Sequence, residues 1–183
     1  FDLVGVIAMA ILTGLGGGIV RDLLLGVGRP SGMQDKYLLT ALAAVIAALI
    51  YGKYVRENTK VVTVLDSIAT ALFAIAGTYK ATINLSSDLV AVLLGVITAV
   101  GGGVLRDVVC RITPQIFTGG PLYATASAIG ATVFVLLNNT SLDLNISVAI
   151  SAVLIVVIQM ASVRFRIHLK PALPSLDFED PSK

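Results

Sequence analysis

A chain that sets three consecutive glycines and an Arg-Asp pair inside an apolar run, and does so twice, has few folds open to it. The first copy is Leu12-Thr13-Gly14-Leu15-Gly16-Gly17-Gly18-Ile19-Val20-Arg21-Asp22, and the second is Ile97-Thr98-Ala99-Val100-Gly101-Gly102-Gly103-Val104-Leu105-Arg106-Asp107. Inside a helix each glycine costs about 1 kcal/mol relative to alanine. An arginine or aspartate at membrane depth costs roughly a few kcal/mol unless it finds partners or water. Such a motif persists only where close packing or a polar interior uses it.

The rest of the sequence supplies the membrane. Hydrophobic residues make up 56% of the chain and charged residues 13%, against about 25% charged in soluble domains, and the mean hydropathy is +0.93. The charges cluster between long apolar runs, the pattern of a polytopic membrane protein. Segments of spanning length are read at 3–26, 37–54, 61–83, 88–110, 121–138 and 145–167. The connections are short: Val27–Lys36, Gly52–Lys60, Asn84–Ser87, Arg111–Gly120 and Asn139–Leu144. A net charge of +2 without a concentrated basic surface gives no reason to expect a nucleic-acid partner. Cys110 lies in an apolar segment and reads as a small buried hydrophobe, and His168 sits in a basic tail near the headgroups. With no His, Cys or carboxylate cluster at catalytic or metal-binding spacing, neither an enzyme nor a resident metal or cofactor is expected.

The repeat extends beyond the glycines. Asp2-Leu3-Val4-Gly5-Val6 matches Asp88-Leu89-Val90-Ala91-Val92, and both copies lead into a loop with a proline (Pro30, Pro114) and then a helix opening with tyrosine (Tyr37, Tyr123). The second copy is preceded by the helix containing Asp66 and Lys80, whereas the first begins abruptly at Phe1-Asp2. That start reads as a truncation, with one more helix expected upstream. The expected architecture is therefore all-α, three plus three plus one helices. An odd number per repeat makes the second run opposite to the first, as in transporters that place a site near the bilayer midplane. The expected divisions are 1–60 for the first repeat, 61–140 for the second, 141–170 for the seventh helix and 171–183 for a polar tail. Lys53, Arg56, Lys60, Arg111, Arg164, Arg166 and Lys170 fall on one face, against Arg29, Lys36 and Lys80 on the other. The first face is then cytoplasmic. The Asn-X-Ser/Thr motifs at Asn84, Asn138, Asn139 and Asn145 fall on the opposite face, and such short motifs are frequent by chance.

Two readings of the glycines stay open. Missing side chains let helix backbones approach closely. Alternatively, Gly16–Gly18 and Gly101–Gly103 unwind or bend their helices past mid-membrane, and the freed carbonyls with the Thr13 and Thr98 hydroxyls frame a polar waist for an ion. A dinucleotide loop is excluded, because the spacing is not G-x-G-x-x-G and no strand precedes it. Adjacent helical residues do not face each other, so Arg21, Asp22, Arg106 and Asp107 are each expected to find other partners. Asp66 is placed to meet Arg106, and Lys80 to meet Asp22 or to snorkel to headgroups. Arg21 is left to find an acid in the upstream helix. Each pair serves either as a structural lock or as part of a charged pore.

The paired Gly-Gly-Gly-X-X-Arg-Asp motifs at Gly16–Asp22 and Gly101–Asp107 resemble those of the prokaryotic trimeric intracellular cation (TRIC) channels, and equally those of the related bacterial glycine-transporter family. The resemblance runs from Phe1 to about Arg166 and departs from the family in the absence of a first helix. It implies a homotrimer in a prokaryotic plasma membrane with a cytoplasmic C-terminus, contacts with membrane lipids, and one pore per protomer conducting K⁺ and Na⁺. In animal members a lysine of the fourth helix helps gating; Lys80 lies in that helix, although its surroundings do not match the animal motif. The alternative is a secondary transporter for a small solute such as glycine. Asp22, Asp66 and Asp107 are the few acids within the spans, which argues mildly against proton coupling.

Overall fold

The computed structural model describes residues 2–57, 59–85, 87–117 and 122–167. The expected tail over 171–183, His168 and Lys170 lie outside them, as do the side chains of Lys53 and Arg56. Six α-helices follow in order: α1 Leu3–Leu25, α2 Asp35–Glu57, α3 Thr59–Asn84, α4 Asp88–Val109, α5 Tyr123–Asn138 and α6 Leu144–Phe165. Short 3₁₀ turns at Ser31–Met33 and Gln115–Phe117 precede α2 and α5.

Local chemistry sets the helix ends. Asp2, Ser87 and Asp143 cap α1, α4 and α6 by accepting from the amides of Gly5, Val90 and Asn145, satisfying donors that have no intrahelical partner. Helix α2 runs on to Glu57 and α3 begins at Thr59, so the long connection expected over Gly52–Lys60 is nearly absent. Residues Lys53–Glu57 have ordinary helix propensity and nothing to stop the turn. Five helices are long and apolar enough to cross a membrane. The exception is α5, whose 16 residues reach about 24 Å at 1.5 Å per residue, short of a full bilayer core.

Glycine decides how the helices pack. In α1 and α4, Gly17 and Gly102 each lie fourteen residues beyond the first residue of the helix. A Cβ on Gly17 would overlap the Thr98 carbonyl oxygen, and a Cβ on Gly102 would overlap the Thr13 carbonyl oxygen. Thr13 precedes Gly17 by four residues, as Thr98 precedes Gly102. The contacts are thus reciprocal and antiparallel, as a twofold relation between inverted repeats demands. Backbones this close allow weak Cα–H···O contacts, and the packing follows the small-residue logic of membrane helices. The same device recurs at α3 and α4, where a Cβ on Gly95 would meet Thr78 and the Ala74 carbonyl, and at α5 and α6, where one on Gly130 would meet Ile155.

The unwinding expected at the triplets does not occur. Every residue of Gly16–Gly18 and Gly101–Gly103 is in regular helix, and at Gly17, Gly101 and Gly102 the partner backbone takes the space of the missing side chain. The remaining core is small-residue packing around Phe134 and Ile155, with Ala71, Ala74, Ile75 and Ala126. Tyr79 of α3 meets Phe134 edge to face at 6.2 Å. By contrast α2 leaves Leu39, Leu42, Ile46, Leu49 and Ile50 exposed within the single chain, the composition of a face that meets lipid or another apolar surface.

Candidate functional site

The two Arg-Asp pairs lie at opposite ends of the α1–α4 crossing. Asp22 is fully buried, and its Oδ1 accepts from Arg21 Nε at 2.7 Å and from Lys80 Nζ at 2.8 Å. Its Oδ2 accepts from the Ser31 amide at 2.7 Å, and Lys80 Nζ also donates to Ser31 Oγ at 2.6 Å. Three donors, from α1, α3 and the turn before α2, thus share one carboxylate. Charge-assisted bonds of this kind are roughly twice as strong as neutral ones, which the burial of three charged groups requires.

At the other end Asp107 repeats the scheme. Its Oδ1 accepts from Arg106 Nε and Nη2 at 2.8 Å, and its Oδ2 accepts from the Gln115 amide at 3.3 Å. The repeated prolines now have a reason. Pro30 and Pro114 each precede the residue whose amide the aspartate accepts, so each carboxylate caps the 3₁₀ turn that follows its helix. The helix ends also correspond. Gly26 and Arg111, each four residues after its aspartate, both take a left-handed conformation, at φ 65° and 56°.

The expectation that neighbours in sequence cannot pair is overturned at both sites. Adjacent Cβ atoms do diverge on a helix, but an arginine is long enough to curl its Nε back onto the next carboxylate. Arg21 therefore has its acid in Asp22. Lys80 meets Asp22, the first of the two arrangements open to it.

Asp66 differs from expectation. Its carboxylate has Tyr123 of α5 as a neighbour in the same cavity, while Arg106 pairs with Asp107, so no Asp66–Arg106 ion pair is among those found for the described residues. All four nevertheless line one cavity of about 240 Å³. Within this chain Asp66 is exposed, and the Arg106 side chain is 40% exposed. Gln115 and Ile116 border it, Thr70 and Phe73 form part of its wall, and it reaches inward to Thr13, Gly14, Gly17, Gly18, Thr98 and Gly103 at the helix crossing. Thr13 borders this cavity. The Thr98 hydroxyl instead donates to the Leu94 carbonyl at 2.6 Å and is buried. Gly16 and Gly101 face the partner helix, Gly16 against Leu105 and Gly101 against Gly17. Arg21, Asp22 and Lys80 do not line the cavity.

Sequence reasoning missed Tyr123 as a site residue and the turn amides of Ser31 and Gln115. The signal for the turns was present: a proline eight residues after Asp22 and seven after Asp107. Nothing in the sequence pairs Tyr123 with Asp66, because that contact joins α3 to α5.

Comparison with known proteins agrees with this arrangement. The family described as "Glycine transporter" matches residues 1–53 and 63–139. The chain is 34% identical over 179 residues to the UPF0126 inner membrane protein YadS of Escherichia coli (strain K12), an alignment covering 96% of this chain and 85% of that protein. It is 36% identical over 133 residues to a UPF0126 membrane protein of Deinococcus radiodurans, covering 72% of this chain but 62% of that protein. Among solved structures, one described under conductance through TRIC cation channels superposes with a TM-score of 0.88 at 29% identity, covering 96% of this chain and 86% of that one. The TRIC trimeric intracellular cation channel orthologue from Rhodobacter sphaeroides shares the fold with a TM-score of 0.78 at 23% identity, covering 88% and 92%.

Proposed function

We propose that this chain, which belongs to the glycine-transporter family of membrane proteins, is a cation channel that conducts K⁺ and Na⁺ through a pore within each protomer of a homotrimer. The cavity carries this reading. A cavity enters the bundle beside the Asp66 carboxylate and ends where two unbroken helices cross at their glycines. A carboxylate at the entrance raises local cation concentration, and the Thr13 hydroxyl with the small Gly14 and Gly18 leaves room for a partly hydrated ion near the crossing. In this reading the Arg21–Asp22–Lys80–Ser31 cluster, on the far side of the crossing, is the gate. The likeness to a structure of a TRIC cation channel supports the same reading.

In this reading the repeats divide as expected, 1–60 and 61–140 with the last helix over 141–170. The protein sits in the plasma membrane with its C-terminus and the cavity toward the cytoplasm. The lysines and arginines at the ends of α2, α4 and α6 and the start of α3 support that orientation. Trimer contacts and lipids cover the apolar face of α2.

One observation favours a second reading. The cavity presents an arginine and a carboxylate on different helices, Arg106 of α4 and Asp66 of α3. That pattern suits a small zwitterion, and the family description names glycine. Planar-bilayer recording of the full-length protein under a KCl gradient, beside uptake of labelled glycine into proteoliposomes, separates the two. Discrete cation-selective steps, more frequent in Lys80→Met, are expected. Absence of steps together with saturable glycine uptake would replace the channel by a carrier.

A further inference from the structure

Serine and threonine in apolar helices commonly turn the hydroxyl back onto the carbonyl four residues earlier. Ser67, Thr70, Thr78, Thr98, Thr132 and Ser147 all do so. Ser127 of α5 departs from this: its hydroxyl is fully buried and has no partner among the described residues. Gln159 of α6 is more unusual. Its side chain is 1% exposed, and neither its amide nitrogen nor its amide oxygen is hydrogen-bonded among those residues. A primary amide with both ends unpaired in an apolar interior is a costly group.

The register of α5 on α6 brings the two together. At one end of the seam the Leu122 amide donates to Ser162 Oγ at 3.1 Å. At the other, a Cβ on Gly130 would meet the Ile155 side chain and the Ser151 carbonyl. Ser127 and Gln159 both fall between these anchors, each on the buried stripe of its helix. Neither lines the cavity beside Asp66. Ser151, also unpaired, lies about 12 Å from Gln159 along α6 at 1.5 Å per residue and is out of reach of the same ligand.

We propose that the α5–α6 seam holds an ordered water molecule bridging the Gln159 amide and the Ser127 hydroxyl. The donor set fits. Gln159 offers one acceptor oxygen and two N–H donors, Ser127 offers a donor and an acceptor, and a buried water takes about three such bonds. A cation is a poor match, since the groups are neutral and few. The water has a consequence for the cavity, because Tyr123 and Ser127 stand one turn apart on the same face of α5. Fixing Ser127 to α6 fixes the helix turn that carries Tyr123 into the cavity beside Asp66. This inference stands on the seam alone and holds whether the cavity passes ions or a zwitterion.

The test is a high-resolution structure of the full-length protein in lipid nanodiscs, wild type and Gln159→Leu, with thermal unfolding of both. Solvent density within hydrogen-bonding distance of the Gln159 amide and Ser127 Oγ is expected, lost in Gln159→Leu together with a melting temperature lower by a few degrees. Ser127→Ala, a smaller change, is expected to lose the same density if the leucine variant does not fold. A dry seam in the wild type, or Gln159 bonded directly to a backbone carbonyl, would overturn the proposal. So would a leucine variant more stable than the parent, the outcome of removing an unpaired amide.

Discussion

Asp22 and Asp107 hold equivalent places in the two repeats, pair with the arginine before them and cap equivalent turns, yet their surroundings are opposite. The Arg21 side chain is 9% exposed, and Lys80 adds a second cation on the same oxygen. Arg106 is 40% exposed within this chain, and beside it Asp66 and Tyr123 border a cavity. One source of the difference is α3, which is not part of either motif. It carries a lysine toward the Asp22 end and an aspartate toward the Asp107 end, so a twofold frame presents a second cation at one end and a second carboxylate at the other.

The largest expected effect tests the frame itself. Gly102→Val puts a branched side chain into the Thr13 carbonyl, which belongs to a rigid backbone and cannot give way. Overpacking typically costs about 1–3 kcal/mol and more where backbone must move, so loss of monodisperse protein on size-exclusion chromatography is expected. Gly14, with open space around it, tolerates alanine in the same assay.

Next comes the comparison of the two carboxylates. Asp22→Asn leaves Arg21 and Lys80 without their anion in a buried site, and breaking a buried pair in this way costs roughly 3–5 kcal/mol. Asp107→Asn is expected to cost about 1–2 kcal/mol, because the exposed Arg106 recovers hydration. Thermal unfolding of the two variants side by side checks the order, and equal losses would remove the distinction between the two ends.

In bilayer recordings, Lys80→Met is expected to raise open probability. Asp66→Asn is expected to lower conductance about twofold at low salt and little at 1 M, where the Debye length falls to about 3 Å. The smallest effect concerns the helix ends. Arg111 takes a left-handed conformation that Gly26 takes in the other repeat. A non-glycine residue there costs roughly 1–2 kcal/mol, so Arg111→Gly is expected to raise the melting temperature by a few degrees while Gly26→Arg lowers it.

Much of this architecture was legible in the order of residues. The doubled motif, the six apolar runs and the odd count between copies lead to inverted repeats, and the meeting of Lys80 with Asp22 follows from their depths. The glycines were harder, because a triplet serves close packing and bending equally well until the partner helix is in place. Arg21 and Arg106 were misjudged because Cβ directions say little about where a long flexible side chain puts its charge. Tyr123 and Gln159 owe their interest to neighbours on other helices, and no local pattern announces that.

The reciprocal seat of Gly17 on Thr98 and of Gly102 on Thr13 has a mechanical meaning. Two stiff rods pinned at one point form a fulcrum. A tilt of α1 against α4 that draws the Asp22 end apart presses the Asp107 end together, and the reverse. Such a seesaw couples the Asp22 end to the Asp107 end without any contact between them, and it lets a small displacement of one loop be felt at the far end of both helices.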